Sequence, residues 1–242
     1  MKKRTYIWAL LPIFSCLSAT AQYKVDDFAL EDSVAVWYDE VFAGNNPELY
    51  EGSFYEVPSR SSQGHSMLGS GQWAEGVVHF KGQRYGGVPM IYDLVNDALV
   101  LRNAQFAQEG REFLQINPLH VASFDVQDFY FENYHQDYCP PIGPGFYQVI
   151  RRGKTVSLIA KRFKTPLVGT YGLEFDLSIE YFIETNGDFI RIKKKKDILN
   201  LYPADKKAIK TFIRANRLLL KEGNDRDFAS VISYCDKLET PL

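Results

Sequence analysis

The sequence predicts a mainly β (α+β) fold: an antiparallel meander, curled into a barrel-like or sandwiched sheet, with C-terminal amphipathic helices laid against it. Three observations carry that expectation. Between Trp73 and Lys193, short runs of β-branched and aromatic residues alternate with turn residues, giving about ten candidate strands. Tight-turn signals separate the clearest pairs: Gly82, Gly153-Lys154 and Asn186-Gly187. Beyond Lys195 the apolar spacing lengthens to the helical period. With 242 residues, 45% hydrophobic and 24% charged, the chain has enough apolar material for a packed core.

The elements follow in chain order. Met1, Lys2, Lys3 and Arg4 precede an apolar stretch from Tyr6 to Leu17 and the small residues Ser18-Ala19-Thr20-Ala21, the succession of a secretory signal peptide over residues 1–21. Cleavage before Gln22 removes three cations and no carboxylate, moving the net charge from −2 to −5. An acidic exported chain is expected not to bind nucleic acid, and its address is periplasmic, outer-membrane-associated or extracellular. No later apolar run reaches the length of a membrane helix, so no transmembrane segment is expected after cleavage.

Residues 22–72 read as an acidic N-terminal segment, with a short helix over 32–42 and a Ser/Gly-rich loop over 58–71. Residues 73–193 form the antiparallel β domain. Within it, Ile179, Tyr181 and Ile183 point one way while Glu180 and Glu184 point the other, so one face is wet. Those glutamates, and Lys161 beside Ile159, also argue against a lipid-facing outer-membrane barrel. Residues 194–242 form a basic helical tail packed on the β domain. Pro203 is placed to open its middle helix, and Asn224 to cap a last helix with an apolar stripe of Phe228, Val231, Ile232, Cys235 and Leu238.

Gly76-Val77-Val78-His79-Phe80-Lys81-Gly82-Gln83-Arg84-Tyr85, followed by Val88-Pro89-Met90-Ile91-Tyr92-Asp93-Leu94 and Asp97-Ala98-Leu99-Val100, resembles a group of secreted β-rich proteins of Gram-negative bacteria. That group also carries a Gly-Lys hairpin and a Lys-rich helical C-terminal tail, as at Gly153-Lys154 and residues 193–221 here. The resemblance implies export and a β-rich fold. The group has no assigned activity, so it lends no functional residue.

Several constellations could carry chemistry. Gly64-His65-Ser66-Met67 resembles the start of a nucleophile elbow with Ser66 as nucleophile, but Leu68 stands where the motif needs glycine and no apolar strand precedes it. His135, Asp137 and Cys139 alternate on one side of an extended strand, a zinc-compatible set that still needs a fourth ligand such as His120. No cofactor or metal is expected on this basis. Cys139 and Cys235 could pair in an oxidising compartment, or Cys235 could pack as a small hydrophobe. Tyr130, Phe131, Tyr134 and Tyr138 could stack on sugar rings, or pack across strands.

Charge segregation is the most specific feature. Residues 190–221 hold eleven Lys or Arg against Asp197 and Asp205 only. Lys193, Lys194, Lys195, Lys196, Lys206, Lys207, Lys210 and Arg214 are the candidates for holding an anionic partner, either anionic lipid headgroups or acidic polysaccharide. The competing readings are a solvated helix face, or neutralisation by the acidic N-terminal part. The expected role is an exported envelope or extracellular binding or structural module without catalytic activity. The alternative is a glycan-active hydrolase using two of Asp93, Asp97, Asp125, Asp128, Glu174 and Asp176.

Overall fold

A computed structural model describes residues 48–58, 64–110, 112–134, 141–170 and 172–238. The expected signal peptide, the expected helix over 32–42 and the His135, Asp137 and Cys139 set lie outside the described residues. Eleven strands form one sheet: β1 (Ser53–Phe54), β2 (Ala74–Phe80), β3 (Gln83–Asp93), β4 (Ala98–Arg102), β5 (Phe113–Gln115), β6 (Val121–Val126), β7 (Phe129–Asn133), β8 (Phe146–Arg151), β9 (Ser157–Gly169), β10 (Gly172–Thr185) and β11 (Asp188–Ile192). Among the described residues the α-helices are α1 (Lys195–Leu201), α2 (Lys206–Ala215) and α3 (Asp225–Cys235).

The strand order is β1-β5-β4-β3-β2-β6-β7-β8-β9-β10-β11, with every pair antiparallel. Two meanders therefore run outward from β2. Thr185 faces Asp188 across the predicted Asn186-Gly187 turn, and both central residues have positive φ, at 51° and 83°. That geometry matches the right-handed twist of the flanking strands.

The expected barrel or sandwich is corrected by this order: there is one sheet, and it stays open with β1 and β11 at its ends. It nevertheless curls. On a flat sheet β3 and β8 would stand four strand spacings apart, about 19 Å. Instead the Tyr92 ring of β3 lies 5.3 Å from Phe124, 4.9 Å from Phe131 and 6.0 Å from Phe146 of β8, edge to face in each case. These rings, with Val78, Met90 and Leu101, fill the hollow of the curl as a first core. Closure fails because β3 and β9 meet through side chains and one backbone bond, Lys164 N–H to Leu94 carbonyl at 3.0 Å, with no strand ladder between them.

A second core lies on the same sheet face farther along. Leu158, Ala160, Ile179, Tyr181, Ile183 and Ile192 pack against Ile198, Ile209, Ile213, Phe228, Val231, Ile232 and Cys235 of the three helices. The last helix buries Phe228, Val231, Ile232 and Cys235 of the stripe its spacing predicts, while Leu238 lies beyond its end and packs there half-buried. Asn224 stands at its N-cap, but its side-chain amide donates to the Leu219 carbonyl and to Asp227. Pro203 lies in the turn before α2, whose N-cap is Asp205. Between the two cores, buried Arg162 donates to Gln148 at 2.5 Å and to Asp225 of α3, and Asp225 also accepts from Tyr181 at 2.7 Å.

Candidate functional site

Two places among the described residues bring sequence candidates together or near one another. The first is the line where the curled sheet meets itself. Asp93, at the end of β3, is 0% exposed. Its carboxylate accepts from the Tyr55 hydroxyl (2.6 Å), the Ser66 hydroxyl (3.0 Å), the backbone N–H groups of Val95 (2.8 Å) and Asn96 (3.2 Å), and the Asn96 side chain (3.3 Å). A buried carboxylate has to be satisfied in this way. Burial, then the hydrogen bond to Asp93, pushes the Tyr55 hydroxyl well above the usual tyrosine range, so it stays a donor.

Asp97 closes the same line from the other end of the β3–β4 turn. It accepts from Tyr92 and, at 2.7 Å, from Lys161 of β9, whose ammonium also reaches the Phe146 carbonyl at 3.1 Å and sits over the Tyr147 ring. Burial lowers the Lys161 pKa, and Asp97 works against that shift. The nearby Lys164 ammonium caps the carbonyls of His65 and Met67 at 2.7 and 2.8 Å. Five hydrogen bonds from this chain's own donors saturate the Asp93 carboxylate. The arrangement clasps the sheet.

The hydrolase candidates resolve accordingly. Asp93 and Asp97 are brought together, one sealed and the other ion-paired, whereas Asp125 lies on β6, Asp128 in the β6–β7 turn, and Glu174 and Asp176 on β10. Ser66 is 3% exposed and donates to Asp93; its segment is a loop, not a strand-to-helix elbow. His120 ends a 3-10 turn, its ring edge-on to Phe80. Among the described residues no cluster of three or more His, Cys, Asp or Glu side chains is arranged to hold a metal. Phe131 is core and Tyr134 packs on Tyr147 and Phe189, which is the cross-strand role; Tyr130 is exposed, and Tyr138 lies outside the described residues. Cys235 is a buried free thiol, while Cys139 lies outside the described residues.

The second place is the basic tail. Asp197, in the first turn of α1, accepts from the backbone N–H groups of Lys193 (2.8 Å) and Lys194 (3.0 Å), which fixes the lysine run where β11 gives way to the helix. Lys193, Lys194, Lys195 and Lys196 are exposed, as are Lys207, Lys210 and Arg214; Lys206 is half-buried. Among the described residues none of these eight forms an ion pair, and neither does Arg217.

Three of the eight come together. Lys195 of α1, Lys210 and Arg214 of α2, and Arg217 just after it surround a groove of about 360 Å³, whose apolar lining is Ile213, Leu218 and Leu219. Lys193 instead lines a cleft with Arg191, Glu180 and Glu222, and Lys207 a shallow depression beside Phe212 and Tyr234. Arg217 was missed by the sequence reading. Lys210, Arg214 and Arg217 recur at i, i+4 and i+7, the signal that could have found it.

Stability alone does not account for these positions. A helix dipole favours cations at the C-terminal end, which suits Arg214. It disfavours them in the first turn, where Lys195 and Lys196 begin α1 and Lys206 and Lys207 begin α2. Comparison with protein-family models, curated proteins and solved structures finds no match to this chain.

Proposed function

We propose that this protein is an exported, non-catalytic binding module of the bacterial envelope, whose tail groove holds an anionic partner through phosphate or carboxylate groups. The N-terminal basic, apolar and small-residue succession supports export. One observation carries the binding: Lys195, Lys210, Arg214 and Arg217 converge on one apolar-floored groove with no carboxylate among its lining residues. Converging cations with no ion-pair partner among the described residues raise the local concentration of anions and make binding salt-dependent.

The test is direct binding of polyphosphate to the purified chain at low and high salt, beside Lys195→Ala/Lys210→Ala/Arg214→Ala. At about 1 kcal/mol per cation near an anionic surface, the triple variant should bind on the order of 100-fold more weakly, with a flatter salt dependence. Binding that ignores both salt and the substitutions would overturn the reading.

A further inference from the structure

The hairpin of β9 and β10 outgrows its sheet. β8 accompanies β9 only as far as Ala160, and β11 accompanies β10 only as far as Tyr181. From Lys161 and Glu180 outward the two strands run on without a third strand among the described residues: Lys161, Arg162 and Lys164 still bond to Asp97, Gln148, Leu94 and the 65–67 segment, and from Thr165 and Asp176 to the turn between Gly169 and Gly172 no further strand accompanies the ribbon. A two-stranded ribbon is marginal by itself, and unpaired edges invite association.

This arm is two-faced. Leu173 opposes Val168, Phe175 opposes Pro166 and Leu177 opposes Lys164, so these side chains share one face; Glu174, Asp176, Thr165 and Leu167 share the other. Alternation places the apolar set on the sheet face that Ala160, Ile179 and Tyr181 present to the helices. The apolar stripe thus runs on past the helices, is interrupted by Lys164, which the 65–67 segment holds, and is exposed at Leu177, Leu173 and Val168. Val168 is 93% exposed, with Leu173 at 42% and Leu177 at 45%.

The cations stand at the root of this arm. Lys193 and Arg191 share a cleft with Phe163, Ser178 and Ile179 of the arm base, and Glu222 accepts from the Ile179 N–H at 2.6 Å. That bond ties the loop carrying Leu218 and Leu219, and with it the basic groove, to the same root. Leu219, on the groove, is itself 63% exposed.

We infer that the partner is an anionic lipid surface: the arm lays Val168, Leu173 and Leu177 into the bilayer interface while Lys193 to Lys196 and the groove cations meet the headgroups. The inference rests on the anionic-partner reading of the groove. An aliphatic face beside exposed lysines that form no ion pair among the described residues matches the two contributions of interfacial binding, buried apolar area and headgroup attraction. Glu174 and Asp176, on the opposite face of the ribbon, stay turned to water.

A polarity-sensitive dye on Val168→Cys reports the contact, in a Cys139→Ser background of the chain from Gln22 onward, which also lacks Cys16. Cys235 does not compete, because burial and then the Asp205 charge push its thiol up to about 12. The labelled chain is mixed with phosphatidylglycerol-containing or pure phosphatidylcholine vesicles, and polyphosphate binding is measured in parallel. Expected are a blue shift with the anionic vesicles alone, loss of that shift at high salt and in the Lys195/Lys210/Arg214 triple alanine variant, and vesicle binding about tenfold weaker in Val168→Asp with polyphosphate binding unchanged.

Polyphosphate binding without a vesicle-induced shift overturns the lipid assignment and leaves the anionic reading standing. Absence of both removes the two together. A dye already blue-shifted before vesicles are added assigns the arm to another occupant: a second copy if the shift grows with protein concentration, or this chain's own residues if it does not. Either result overturns the inference.

Discussion

Arg217 carries a conflict between conformation and charge. Its φ is +53°, and the chain ends α2 around it with the Leu218 N–H donating to the Ile213 carbonyl (3.0 Å) and the Arg217 N–H to the Arg214 carbonyl (3.2 Å). This paired pattern is the helix ending in which glycine usually occupies the left-handed position. An arginine there costs on the order of 1 kcal/mol in backbone strain. Arg217→Gly is therefore expected to raise the thermal midpoint by about 2–4 °C, and to weaken polyphosphate binding about fivefold through loss of one groove cation. A residue kept for folding alone would not move the two measurements in opposite directions. Sequence reading stopped at Arg214 because the helix stops there, whereas the cationic row continues one residue past the cap.

Among the elements, turn chemistry decided what was legible. Asn186-Gly187 announces its hairpin, since both residues tolerate positive φ. The β6–β7 hairpin makes the same two-residue connection through Gln127 (φ 53°) and Asp128 (φ 65°), and nothing in that pair signals it. The β9–β10 hairpin is legible only in its inner half, because strand length beyond the sheet leaves no periodic signature of missing neighbours. The 64–71 segment is the loop read from sequence, yet it buries Ser66, Met67 and Leu68 and bridges Met67 to Asp93, a long-range pairing that local pattern does not encode. Asp236, at the end of α3, is a further link of this kind. It gathers Arg151 (2.8 Å), the N–H groups of Lys154, Thr155 and Val156, and the Thr155 hydroxyl (2.9 Å), pinning the helix to the β8–β9 turn. Burial alone would raise its carboxyl, but the hydrogen bonds from Arg151, Thr155 and Lys154 outweigh burial and hold it well below the usual carboxylate range. A group lower in the folded than in the unfolded chain stabilises at pH above its unfolded value, about 4, and loses that contribution as pH falls toward the folded one. Asp236→Asn should cost about 2–3 kcal/mol at neutral pH. It should also flatten the acid limb of a denaturation-midpoint profile below about pH 4; an unchanged limb would show that the helix is pinned by packing alone.

At the scale of the whole molecule, two cores share one face of one open sheet, and the curl that makes the first core has to be held without a closing ladder. Asp97 and Lys161 span that gap at 2.7 Å, both less than a third exposed. A partly buried ion pair contributes little against a well-packed apolar replacement, yet removing one partner leaves a stranded charge. Asp97→Asn should accordingly cost about 3 kcal/mol, while Asp97→Asn/Lys161→Met should recover most of the loss, as read from denaturation midpoints in a double-mutant cycle. The pH dependence separates this from simple loss of packing. Burial lowers the Lys161 pKa against the pull of Asp97, and Asp97→Asn removes the pull. Between the lowered folded value and the unfolded value of about 10.4, the unfolded chain holds the extra proton, so stability rises with pH. Asp97→Asn should therefore regain stability relative to the unsubstituted chain as pH climbs from neutral toward about 10, and the double variant should show no such climb. Equal losses at both ends of that range would mean that the aromatic cluster around Tyr92, and not the ionic clasp, holds the sheet in its curl.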